Sequence, residues 1–529
     1  MSYTGYLYLF VFLELSYLFY IIVPLKYRWI ELLVASLVFY FFSSKWLMLI
    51  MLLCGFIVYF AGIFINRIND AATMAKKALP REQRKEFKTI INWQKRAVVT
   101  ISVLSVFGIL IFLKYYNFLS GSINSILNFF PNTSPLKHLK LILPLGISYY
   151  TLMASSYVID VYRGKYRAET NPFKIILFLC FFPHITEGPI GRYDLLGPQL
   201  IEGHKANYKN FTFGTQLILW GLFKKIVIAD RAAGMVSAVF KNYSNYSGVV
   251  VLLAAVMFTV QLYAEFSGCI DVVTGSAQLF GISLQSNFER PFFSKSINEF
   301  WRRWHITLGA WLRDYVFYSV SLSKPFMNLS KWAKKHFTEY YAAMVPALFA
   351  LFFVWFGNGF WHGAGEKYIL YGLYYYLIMV LGMLLEPLFM KFFNFTGLKR
   401  DSGFMSFLKI VRTNLLVVIG MLLFRADSMK AFYAMLGSVF KGFNLEPFLS
   451  GAIYKLGTDA HDYFIILIGV VIMLAVGLLK ECGHHIRSEV AEMNIAVRWS
   501  IYLLLVLSII IFGAYGTGYG QVDPIYAQF

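Results

Sequence analysis

Long apolar runs separated by short polar stretches dominate this chain. A helix that crosses a bilayer needs roughly 20 apolar residues. Runs near that length lie at about 5–25, 29–43, 47–65, 98–119, 142–160, 173–188, 211–230, 249–280, 342–361, 367–391, 406–424, 463–480 and 497–515. The pattern predicts an all-α polytopic membrane protein. Pro144, Gly146, Pro183 and the Gly188-Pro189 pair interrupt or border these runs. Broken backbone at membrane depth must be covered by protein or a watery cavity, so these breaks predict half-helices or re-entrant segments. No internal repeat or low-complexity tract is visible.

Composition supports the same class. Of 529 residues, 58% are hydrophobic, 19% aromatic and only 14% charged. About 25% charge is usual for a soluble domain, so an ordinary cytosolic enzyme, a disordered chain and a secreted repeat protein are excluded. The formal net charge is +20. In a membrane protein this reflects positive-inside retention and contact with anionic lipid, not nucleic acid. The four cysteines are far apart, with no metal-binding spacing. The start Met1-Ser2-Tyr3-Thr4 lacks a basic n-region, so the first apolar run is expected to be a retained helix.

Loop charge sets the expected orientation. Segment 66–97 holds Arg67, Lys76, Lys77, Arg81, Arg84, Lys85, Lys88, Lys95 and Arg96 against Asp70, Glu82 and Glu86, and reads as a basic cytosolic loop. Lys26 and Arg28 then lie inside and the N-terminus outside. Lys480, Arg487 and Arg498 place the loop between the last two spans inside, and residues 513–529, with no Lys or Arg, fall outside.

Three stretches carry candidate chemistry. In Val354–Gly365 (Val-Trp-Phe-Gly-Asn-Gly-Phe-Trp-His-Gly-Ala-Gly), His362 ends an apolar run between glycines and tryptophans, near Asn358 and Trp361. A desolvated imidazole stays neutral, the state a general base needs; a hydrogen-bonded packing histidine is the alternative. In Asn298–Tyr315, Arg302, Arg303, Trp304, His305, Arg313 and Asp314 crowd a short segment. At helical spacing Arg302, His305 and Gly309 share a face, which predicts a tilted interfacial helix. Its arginines suit phosphate, although an aromatic-and-basic anchor is the simpler reading of the segment alone. The third is the end, Gly513 to Phe529, whose glycines lead to Ile525-Tyr526-Ala527-Gln528-Phe529. It is either a plug that folds back into a cavity or a solvated tail. His138, His204, His336, His461, His484 and His485 suggest no ligand set, and no nucleophile-elbow, Walker or dinucleotide motif is present.

Phe300-Trp-Arg-Arg-Trp-His305-Ile-Thr-Leu-Gly-Ala-Trp-Leu-Arg313-Asp314-Tyr315, with Trp361-His362-Gly363-Ala364 further on, resembles the membrane-bound O-acyltransferase family, and most closely its alginate O-acetyltransferase branch. Leu143–Tyr150, Ile159–Gly164, Phe182–Ile190, Phe223–Asp230, Phe266–Asp271 and Asn287–Phe292 resemble the same branch. The resemblance implies a helical shell around a pinched transmembrane channel in a bacterial cytoplasmic membrane. The implied donor is acetyl-CoA or a carrier-protein thioester, with no tightly bound cofactor and no metal. His362 matches the principal family histidine and His305 the supporting one. Arg302, Arg303, Lys224, Lys225 and Trp304 are the expected donor-binding residues, and Asn358, Trp361 and Asp314 the expected channel lining. An extracellular SGNH-type partner would complete transfer to a polysaccharide. The tail resembles the Tyr-x-x-Phe end of a small separate protein in teichoic acid D-alanylation, fused here, with Pro524 departing from its pattern. Tyr526 would then carry the acyl group outward. The expected segmentation is 1–65 helices, 66–97 basic loop, 98–445 family core, 446–512 helices and 513–529 relay tail. D-alanyl transfer is the alternative inside the family, and a transporter or flippase the alternative outside it.

Overall fold

The structure is a computed structural model that describes residues 2–130 and 134–515. Those residues are overwhelmingly helical. Among them, nine helical stretches are long and apolar enough to cross a membrane. Most follow the expected runs closely: Gly248–Leu279, Glu339–His362, Glu366–Thr396, Gly403–Arg425, Ala460–Glu481 and Ile495–Phe512.

The chain divides into two compact units, residues 1–215 with 273–285, and residues 216–272 with 286–529. These units follow packing. In the first unit, Met48–Ala78 and Arg84–Leu127 extend through most of the basic segment 66–97, which is therefore helical except for a short connection at 79–83. Arg167 pairs with Asp70 there, at 2.7 Å. Lysine, arginine, glutamate and glutamine are good helix formers, so the helices continue after the apolar run stops.

Two expected spans of this unit have another form. Ile147–Arg163 is only 17 residues long, and most of its side chains are buried in protein. The run at 173–188 gives the nine-residue helix Pro172–Cys180 followed by turns, as its prolines and glycines require. Leu7–Ile22 is apolar but shorter than a full span. Tyr8, Phe12, Phe39, Phe182 and Phe280 form an aromatic core around the Phe182 ring.

The second unit holds the residues singled out for chemistry. Its central feature is a tight hairpin of Glu339–His362 and Glu366–Thr396. Glycines bring the two backbones together: a Cβ at Gly359 would lie 2.3 Å from the Tyr368 carbonyl oxygen, and one at Gly372 would lie 2.2 Å from that of Trp355. Polar side chains close several helix starts, including Ser296 onto Glu299 N–H and Ser402 onto Met405 N–H.

Candidate active site

The expected interfacial helix through Asn298–Tyr315 is broken. Ile297–Arg303 ends at Trp304, His305 takes a left-handed conformation (φ 47°, ψ 50°), and Ile306–Trp311 begins a new direction. Arg302, His305 and Gly309 therefore do not share one helical face. A left-handed non-glycine residue costs about 1–2 kcal/mol, and here tertiary contacts hold it. The preceding strand-like segment pairs with the break: Glu289 N–H donates to the Arg303 carbonyl (2.9 Å), Ile306 N–H donates to the Asn287 carbonyl (3.0 Å), and Phe288 bridges Trp304.

Asn287 opens one of the family-like segments but was given no role from the sequence, and its side chain organises this turn. Its Oδ1 accepts from Thr307 N–H (3.1 Å) and from the Thr307 hydroxyl (2.8 Å), and it lies 3.2 Å from His305 Nδ1. A backbone N–H can only donate, so the Asn287 atom it meets is the oxygen. Nδ1 of His305 must then carry the proton, leaving the lone pair on Nε2. That Nε2 is buried and has no hydrogen-bond partner among the described residues.

His305 is 2% exposed and His362 is 5% exposed. Both pack in T-shaped contacts against one indole, Trp361, with centroids at 5.6 Å from His305 and 5.0 Å from His362. Tyr371 and Phe424 complete an aromatic surround for His362, at 5.8 and 5.3 Å. Asn358 lies one helical turn before His362 and is also buried. With His305, Trp301, Trp304, Gly309 and Trp355 it lines a cavity of about 50 Å³. The fold thus gathers His305, His362, Trp361, Asn358 and Trp304 in one place.

The other expected donor-binding residues are dispersed. Lys224 is buried in an ion pair with Asp271 (2.7 Å) and donates to the Ser267 hydroxyl (2.8 Å). Lys225 is buried between Asp230 (2.6 Å) and Glu265 (3.3 Å). Their charges are already answered inside the protein, and releasing Lys225 would remove a cation from beside the buried Glu265 carboxylate. Lys224 and Lys225, both expected at donor phosphates, are thus engaged in ion pairs within the protein. Arg303 binds Glu481 and Glu299, at 3.0 and 2.7 Å. Its hydrogen bonds to Glu481 hold its pKa above the usual guanidinium value. Arg302 is exposed, and Asp314 pairs with its neighbour Arg313 (2.9 Å). Tyr526 lies outside the described residues. The last described turn is fastened to the same unit: Arg231 bonds Asp462 and donates to the Phe512 carbonyl (2.7 Å), while Ala514 N–H donates to the Ile226 carbonyl (3.0 Å).

No group of His, Cys, Asp and Glu among the described residues is arranged to hold a metal ion. The site offers buried imidazoles and aromatic walls, which suits proton transfer in a dry pocket.

Residues 165–424, which include both histidines, match the model of MBOAT, the membrane-bound O-acyltransferase family. Over 448 residues the chain is 31% identical to the probable alginate O-acetylase of Pseudomonas aeruginosa, covering 83% of this chain and 75% of that one. The chain belongs to the membrane-bound O-acyltransferase family. This O-acyltransferase is also 30% identical over 308 residues to the peptidoglycan O-acetyltransferase of Helicobacter pylori, covering 53% of this chain and 54% of that one. It is 29% identical over 239 residues to the teichoic acid D-alanyltransferase of Bacillus subtilis, covering 44% and 58%. It is a multi-pass membrane enzyme of acyl transfer.

Proposed function

We propose that this O-acyltransferase moves an acetyl group from a cytosolic thioester to the outer side of a bacterial cytoplasmic membrane, for O-acetylation of a polysaccharide. The observation that carries the reading is the pair of buried imidazoles, His362 and His305, set on one indole inside the family-matched region. The relatives named for alginate and peptidoglycan O-acetylation support acetyl as the group and a glycan as the destination.

In the proposed step, the phenolic oxygen of Tyr526 attacks the thioester carbonyl carbon. His362 accepts the phenolic proton as the C–O bond forms, the C–S bond breaks, and the proton passes to the departing thiolate. The phenol's ordinary pKa is about 10, so it needs this help at neutral pH. The resulting aryl ester stays activated, and a serine of an extracellular SGNH-type partner takes the acyl group onward. His305, Asn358 and Trp361 shape the dry pocket in which the thioester carbonyl sits, and exposed Arg302 meets donor phosphates. Acyl-CoA is too charged to cross hydrocarbon, and this route lets only the small acyl group pass.

Tyr526→Phe removes one hydroxyl. It is expected to stop acyl export while the protein still purifies as wild type. Mass analysis of the C-terminal peptide after incubation with acetyl-CoA is expected to show an acetyl adduct on Tyr526. An active preparation with no adduct refutes the relay. The B. subtilis relative supports one second reading, D-alanyl transfer; a D-alanyl adduct from a carrier-protein donor, with none from acetyl-CoA, selects it.

A further inference from the structure

A cavity of about 610 Å³ in the second unit lies apart from the histidines, against the Glu366–Thr396 and Gly403–Arg425 helices. One part of its wall is basic: Lys295, Arg400, Lys409 and Arg412 line it, with Glu386 as the carboxylate among the lining residues. Arg400 binds that carboxylate at 2.6 Å. Lys409 donates to the Arg400 carbonyl (2.8 Å) and Arg412 to the Lys295 carbonyl (2.9 Å). Main-chain carbonyls orient these groups without cancelling their charge, and each retains further donors. Asp401, 3.5 Å from Lys409, is 90% exposed and outside the cavity wall.

Much of the remaining wall is apolar, with Ile378, Met379, Met383 and Leu416, alongside Ser296, Asn298 and Tyr340. Met side chains adapt to an irregular flexible guest. The cavity adjoins helix faces that expose Leu385, Leu388 and Phe389, the surface expected at a lipid boundary. A guest that fits is anionic at one end and a hydrocarbon chain at the other.

We propose that this cavity binds an anionic phospholipid. Its phosphate sits among Lys295, Lys409 and Arg412, and an acyl chain lies along Ile378, Met383 and Leu416. A zwitterionic headgroup brings a cation against the same basic wall and is disfavoured. The site is independent of the acyl-relay reading.

The test uses the full chain in neutral detergent, titrated with phosphatidylglycerol or phosphatidylcholine and read by native mass spectrometry. Wild type is expected to retain phosphatidylglycerol preferentially. Lys409→Gln combined with Arg412→Gln is expected to weaken that retention by at least about tenfold, from the loss of two near-surface charges. Gly382→Trp provides a second variant that keeps every cation. Gly382 lines the cavity, and a Cβ there meets no atom within 4 Å. The indole is expected to obstruct the apolar part of the cavity and weaken lipid retention with thermal stability unchanged. Equal retention of the two lipids, or wild-type retention by either variant, overturns the proposal. Displacement of phosphatidylglycerol by acetyl-CoA also overturns it and assigns the cavity to the donor.

Discussion

Two histidines of this enzyme differ in how their backbones are held. His362 closes a regular helix, whereas His305 occupies a left-handed position fixed by Asn287 and Thr307. His305→Gly and His305→Ala both remove the imidazole, and equal losses of acyl transfer are expected from both. The glycine variant is expected to unfold at higher temperature, because it relieves backbone strain of about 1–2 kcal/mol, less its own entropic cost. Thermal unfolding in one detergent compares them. Asn287→Ala frees the His305 tautomer while leaving the ring in place. The ¹⁵N shifts of His305 are expected to move toward a tautomer mixture and kcat to fall, with KM for donor little changed; unmoved ¹⁵N shifts refute the positioning role. His362→Ala is expected to cost about 10²–10⁴-fold in kcat, the usual worth of a general base. His362 stood out in the sequence as an ionisable group ending an apolar run. Asn287 stood out only as part of a family-like segment; its role was not legible, because it rests on contacts to residues 18 and 20 positions away.

At the scale of elements, apolar runs located the long helices well, since burial in lipid or protein rewards the same residues. The runs could not show where charged helices continue beyond lipid, as Arg84–Leu127 does. The break at Trp304-His305 was equally hidden. No proline or glycine marks it; pairing with the Asn287–Glu289 segment overrides helical propensity there. The hairpin of Glu339–His362 and Glu366–Thr396 depends on close approach at Gly359 and Gly372. An added methyl meets a neighbouring backbone carbonyl, so Gly359→Ala and Gly372→Ala are each expected to destabilise by about 1–3 kcal/mol. Gly382→Ala, on the same helix with open space beside it, is expected to be neutral or stabilising. Thermal unfolding of the three variants checks the contrast.

For the whole molecule, the charge pattern predicts which ends face the cytosol, and one native residue reports on it. Cys54, Cys180 and Cys269 are buried, while Cys482 is exposed in the connection before the last long helix. A membrane-impermeant maleimide is expected to label Cys482 only after the cells are opened, with Cys482→Ser as the control. Labelling of intact cells reverses the orientation. The close-packed hairpin also bears on which acyl groups the enzyme accepts. The hairpin holds Asn358 on one side of the small cavity, and displacing that side would break its close backbone packing at Gly359 and Gly372. If the acyl group occupies this cavity, as the proposed reaction requires, extra length falls to its other lining side chains, among them Leu308 and Leu312. Leu308→Ala is therefore expected to raise propionyl transfer relative to acetyl, within the roughly 10–200-fold that one methylene can decide. The same glycines that bring two helices together would act as a ruler for the cargo.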